Sequence, residues 1–129
     1  MLEKGLKGNY SVKVTAENTA KAAGSGTLEV FGTPFMLALM EKTCYESVAP
    51  YLEDGQGTVG TLADITHSAA TPLGMTVRCE SELVEVDRKR LVFNVKAYDE
   101  AGLIGEGTHE RFIITEDKFL ARTNAKLEK

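Results

Sequence analysis

The chain has 129 residues, 43% of them hydrophobic and 26% charged, with a net charge of −4. This suits a single globular domain over residues 1–129 and argues against a general nucleic-acid surface. No stretch approaches a membrane span, and the N-terminal MLEKGLKGNYSVKV has no apolar run of signal-peptide length.

Tyr10, Val12 and Val14 alternate with polar residues and predict a first strand over Gly8 to Thr15. Asn18 to Ala23 predicts a short helical turn, and Gly24-Ser25-Gly26 a flexible break. Thr27 to Phe31 reads as extended. Thr33-Pro34 then starts the main helix, with Thr as cap and Pro in the first turn, and Pro50 ends it. On a 100° wheel, Leu37, Met40, Cys44, Tyr45 and Val48 share an apolar arc with Glu41 inside it. Lys42 and Glu46 fall on the wetter side as an i,i+4 pair. A carboxylate on an apolar arc is costly unless paired or protonated, which suits a general base. The plain alternatives are a Glu that reaches water at the edge of the arc, or one tied to a buried basic group.

Glu53 to Gly57 is a turn. From Thr58 onward the odd positions, Val59, Thr61, Ala63, Ile65, His67 and Ala69, read as the buried face of a strand. Thr71 to Gly74 is a second turn. Met75 to Val86 is a strand whose alternation changes face near Ser81, predicting a bend or a bulge there. Asp87 to Arg90 is a charged hairpin loop. Leu91, Phe93, Val95 and Ala97 mark the next strand, and Leu103 to Thr115 the last, with Gly105, Gly107 and His109 on it. Phe119 to Lys129 is an amphipathic helical tail. Cys44 and Cys79 fit no metal or redox spacing and suit a reducing cytoplasm. One apolar helix followed by four antiparallel strands predicts an α+β domain in which a curved sheet wraps the helix, the hot-dog fold.

Four ordered motifs then carry a resemblance: FxTxFMxxLMExxC (Phe31 to Cys44), APYLExGxGxxGT (Ala49 to Thr61), THxAATPxG (Thr66 to Gly74) and GxGTHER (Gly105 to Arg111). Together they resemble the fluoroacetyl-CoA thioesterase family of hot-dog proteins. The resemblance implies an acyl-CoA thioesterase that needs no cofactor and no metal, with CoA as part of the substrate. It also implies a homodimer whose active sites lie at the subunit interface. Its catalytic Thr, Glu and His fall on Thr33, Glu41 and His67. The glycine whose N–H contacts the thioester carbonyl falls on Gly60, beside the helix N-terminus. Phe35 is assigned to the acyl pocket with it.

Without the motifs, Thr33 would be read as a cap, His67 as a core histidine and Gly60 as a bulge. His109 keeps a structural reading, bonded within the sheet or at the dimer contact. Glu41 would attack the carbonyl or activate water; His67 would hold the carboxylate or protonate the leaving thiolate. Thr33 would hydrogen-bond Glu41 or the thioester, or act as the nucleophile itself. A non-catalytic acyl-CoA-binding module is the alternative. A hydratase is weaker, because Asp64 and His67 fall on opposite strand faces. The fluoroacetyl-specific member has a longer, aromatic-rich lid segment ahead of the Thr motif. Here Thr19 to Val30 reads TAKAAGSGTLEV, which predicts open cover over the acyl group.

Overall fold

The computed structural model describes residues 2–128. Strand β1 (Lys7–Lys13) and a short helix α1 (Ala20–Ala23) precede the long helix α2 (Thr33–Val48), which ends in a 3-10 turn at Ala49–Tyr51. Four strands follow: β2 (Gln56–His67), β3 (Thr76–Asp87), β4 (Arg90–Asp99) and β5 (Gly102–Thr115). Helix α3 (Glu116–Asn124) and a last 3-10 turn close the chain. The strands form one antiparallel sheet in the order β1-β3-β4-β5-β2, so β2 is an edge.

The sheet curves around α2. Met36, Leu39, Met40, Thr43, Cys44 and Val48 of the helix are buried against Val77, Cys79, Leu83, Leu91, Phe93, Val95, Ala97 and Ile104. Each fully buried apolar side chain stabilises the fold by about 1.5–3 kcal/mol over leaving it in water. The arc is rotated from the predicted one. Tyr45 is 41% exposed and Leu37 half-buried. With Glu41 they form an i,i+4 stripe along the edge of the arc, so the carboxylate lies where core gives way to solvent. Thr43 escapes a penalty inside the core by donating to the Leu39 carbonyl at 2.7 Å. Lys42 and Glu46 pair at 3.9 Å as expected.

Two bulges explain where strict alternation failed. In β2, Gly60 pairs with Arg111 and Leu62 with Glu110, leaving Thr61 as the extra residue. The extra residue flips the parity. Below it Thr58 and Gly60 share the helix-facing side with Ile113 and Arg111; above it Ala63, Ile65 and His67 do. Val59 and Thr61 were therefore misplaced, and His67 was not. In β3 the shift lies between Leu83 and Glu85, not at Ser81, which is buried on the inner face beside Gly8.

Candidate active site

Gly32, not Thr33, occupies the N-cap of α2 in extended conformation, and no side chain caps this end. Its small size is required: a Cβ there would meet the Ala20 nitrogen at 2.9 Å. Thr33 is left as the first helical residue with its hydroxyl free. That oxygen lies 2.7 Å from His67 Nδ1 at the end of β2. Burial holds the His67 imidazole below its ordinary pKa of 6.5, against the Ala69 backbone carbonyl, which as an acceptor favours the charged ring. The ring is therefore neutral at pH 7. Its Nε2 is buried and has no hydrogen-bond partner among the described residues, an arrangement uncommon outside functional sites. A cavity of about 270 Å³ opens here, lined by Ala20, Val30, Phe31, Thr33, His67 and Ala69 among others. Phe35 lies half-buried one turn in, packed on the core.

Glu41 sits two turns further along α2, about 12 Å from Thr33 along the axis. A Cβ added to Gly60 would lie 3.0 Å from Glu41 Oε2, 3.2 Å from His109 Cε1 and 3.4 Å from Arg111 Nη1. Gly60 thus lets the β2 backbone close onto the carboxylate. Within one chain it lies at Glu41, not beside the helix N-terminus. The structure so makes two clusters: Thr33 with His67, and Glu41 with Gly60.

The second cluster includes two residues to which sequence reasoning gave no catalytic role. Arg111 is 7% exposed. Its guanidinium donates to Thr58 Oγ1 at 2.8 Å and to the Thr58 carbonyl at 2.9 Å. It also lies 3.1 Å from His109 Nε2 and faces the Tyr45 ring at 5.5 Å. Burial pulls the Arg111 pKa down and the Glu41 charge pushes it up. His109 is 1% exposed and also bonded within the sheet, Nδ1 to the Leu62 carbonyl at 2.8 Å. Burial is the main cause that lowers its pKa below 6.5. The signal for both was in the last motif, where two polar residues, i and i+2, share one strand face.

Cys44 and Cys79 are free and buried. Desolvation raises both pKa values, that of Cys79 to about 11, so neither thiol is a nucleophile at neutral pH.

Comparison with solved structures places this architecture among the hot-dog thioesterases. Residues 14–117 match the family model described as fluoroacetyl-CoA-specific thioesterase. The chain is 49% identical over 98 residues, 76% of its length and 70% of the relative's, to a fluoroacetyl-CoA thioesterase of Streptantibioticus cattleyicolor. The structure of the fluoroacetyl-CoA thioesterase FlK superposes with a TM-score of 0.93 over 98% of each chain, at 39% identity. A thioesterase superfamily member from Thermus thermophilus superposes at 0.89 with 29% identity, over 98% of this chain and 93% of that one. The fold is that of a thioester hydrolase of the hot-dog class. Within that class, the chain belongs to the fluoroacetyl-CoA-specific thioesterase family.

Proposed function

We propose that the protein hydrolyses a small acyl-CoA thioester to the free acid and CoA, using Thr33, Glu41 and His67 at sites shared between two subunits. The observation that carries it is the 2.7 Å contact between Thr33 Oγ1 and a neutral imidazole whose other nitrogen is buried without a partner among the described residues. That is a hydroxyl set beside a base, with the base awaiting an orienting group. CoA enters as part of the substrate; a related structure, a point mutant of FlK, is described in complex with fluoroacetate and CoA.

The free edge of β2 supports the shared site. Residues 60–64 are exposed along it, and Leu62 is 44% exposed. An unpaired edge of this length invites a second strand. Antiparallel pairing of β2 with its copy about a two-fold near Ala63 and Asp64 sets His67 of one chain opposite Gly60 of the other. Glu41 of the partner subunit then approaches the His67 Nε2, and its Gly60 N–H is available to polarise the thioester carbonyl. In one route Thr33 attacks while His67 takes its hydroxyl proton and passes that proton to the departing CoA thiolate, and water then hydrolyses the acyl-Thr33 ester. In the second Glu41 takes a proton from the attacking water and that proton goes to the thiolate. In the third Glu41 attacks directly, CoA leaves as a thiolate that takes its proton from solvent, and water hydrolyses the resulting anhydride. Gly60 and Phe35 hold the acyl end. The two reduced, buried thiols suit a cytoplasmic protein.

The test is a hydrolysis screen over acyl-CoA thioesters with wild type and Glu41→Gln. We expect turnover on short acyl groups and a loss of ~100-fold or more in the variant, the scale of a general base. Thioester binding without turnover in the wild type would favour the binding-module alternative.

A further inference from the structure

His109 is buried in the same corner as Glu41 and Gly60, yet the chemistry above leaves it unused. Its two nitrogens have partners of opposite kind. Nδ1 lies 2.8 Å from the Leu62 carbonyl, which only accepts, so Nδ1 carries the proton. Nε2 lies 3.1 Å from Arg111 Nη1, which only donates, so Nε2 accepts. The ring stacks on Phe93 with centroids 6.4 Å apart. The carbon between the nitrogens faces Gly60, where a Cβ would meet it at 3.2 Å. Leu62 is the residue directly after the bulge in β2. One ring therefore holds the strand on the far side of Gly60 and the one guanidinium nitrogen that Thr58 does not hold.

We propose that His109 is a positioning residue for thioester hydrolysis: as the neutral, Nδ1-protonated imidazole it fixes the Gly60–Leu62 bulge and aims the Arg111 guanidinium at Glu41. The role rests on the thioesterase reading. Protonation of Nε2 would turn two donors on each other and release Arg111. Burial opposes that protonation, as does the facing Arg111 charge, while the carboxylates of Glu41 and Glu110 favour it. A histidine that merely filled the core would also satisfy both nitrogens, so the two readings part on whether its loss lowers kcat through Arg111.

Two substitutions separate the two bonds. His109→Asn keeps an amide donor for the Leu62 carbonyl and drops the acceptor for Arg111; His109→Gln reaches Arg111 and gives up the short bond to Leu62. We expect folded His109→Asn to lose ~10–100-fold in kcat with KM changed less than ~3-fold, because the reacting groups are misplaced rather than lost. Arg111→Gln combined with His109→Asn should lose no more than Arg111→Gln alone, since both act on one contact. Nitrogen NMR of the wild type should show an Nδ1-protonated His109 and a slowly rotating Arg111 guanidinium, freed in His109→Asn and still held in His109→Gln. Multiplicative losses in the double variant, or wild-type kcat in His109→Asn with an active wild type, would overturn this inference alone. Absence of hydrolysis in the wild type would overturn the thioesterase reading and the role with it, and NMR would still report whether the guanidinium is held.

Discussion

Gly60→Ala adds a single methyl at the point where β2 meets the Glu41 carboxylate. The new Cβ would sit 3.0 Å from Glu41 Oε2, 3.2 Å from His109 Cε1 and 3.4 Å from Arg111 Nη1, so something must yield by a few tenths of an ångström. His109 is bonded through both nitrogens and Arg111 through three. Among the described residues Glu41 takes part in no side-chain hydrogen bond or ion pair, so the carboxylate is the group that moves. Overpacking of this kind costs about 1–3 kcal/mol. At the half-open edge of a sheet the lower figure applies, which for a chain of this size is a Tm decrease of about 4 °C. The rate should suffer more. A displacement of 1 Å at a reacting group costs on the order of 100-fold, so a few tenths should cost ~10-fold or more in kcat/KM. The assay is release of free CoA from a short acyl-CoA, read beside a thermal melt. A folded Gly60→Ala with kcat/KM within ~2-fold of wild type would show that Gly60 marks only a bulge.

The shared site can be tested by mixing. Thr33→Ala and Glu41→Gln homodimers should each be nearly inactive, yet exchange of subunits should restore up to about one quarter of wild-type activity, because half the dimers carry one intact site; no recovery after verified exchange would place both residues in one chain's site. Both histidines have folded pKa values lowered below 6.5 by burial, so the unfolded chain binds more protons between those values and 6.5. Their contribution to stability is complete above pH 6.5 and is lost as the pH falls through that window, so Tm should drop on acidification and drop less in His109→Gln. The segment from Thr19 to Val30, which in the proposed site covers the acyl end, has no aromatic side chain. The protein should therefore accept several short acyl groups; a preference for fluoroacetyl-CoA over acetyl-CoA beyond ~10⁴-fold would contradict open cover, since loose apolar contacts discriminate far less.

The strand and helix order was legible because alternation and the 3.6-residue period are strong over Leu91 to Ala97 and Phe35 to Val48. What misled was local. The odd positions of β2 were all assigned inward because a bulge at Thr61 leaves no mark in composition. The helix arc was set one position off because Tyr45 counts as apolar while lying at the surface. Thr33 looked like a cap by residue type, but close packing of Gly32 on Thr19 and Ala20 moves the cap one residue back. Motifs single out Thr33, Glu41, His67 and Gly60 as candidates, and their pairing into two clusters needs coordinates. The partners of His109 and Arg111 lie at Thr58 and Leu62, about fifty residues away in the chain.

Gly105 and Gly107 on β5 lie directly under the end of β2 that carries His67. A Cβ at Gly105 would meet the Thr66 carbonyl at 2.6 Å and Met36 Sδ at 2.7 Å; one at Gly107 would meet the Ile65 Cα at 2.6 Å. These obstacles are largely backbone, which has nowhere to retreat while the strands stay paired. One wall of the cavity beside Thr33 and His67 is therefore closed to redesign: any side chain there prises β2 from β5 and takes His67 out of reach of Thr33. Another wall, from Ala20 to Val30, is exposed between Lys21 and Glu29 and anchored through main-chain bonds such as Ala20 N–H to the Val30 carbonyl and Phe31 N–H to the Thr71 carbonyl. Its side chains are free to change while its path stays fixed. Directed evolution of a new acyl preference in this scaffold should accumulate its substitutions there, with Ser25 and Leu28 as the first positions to randomise.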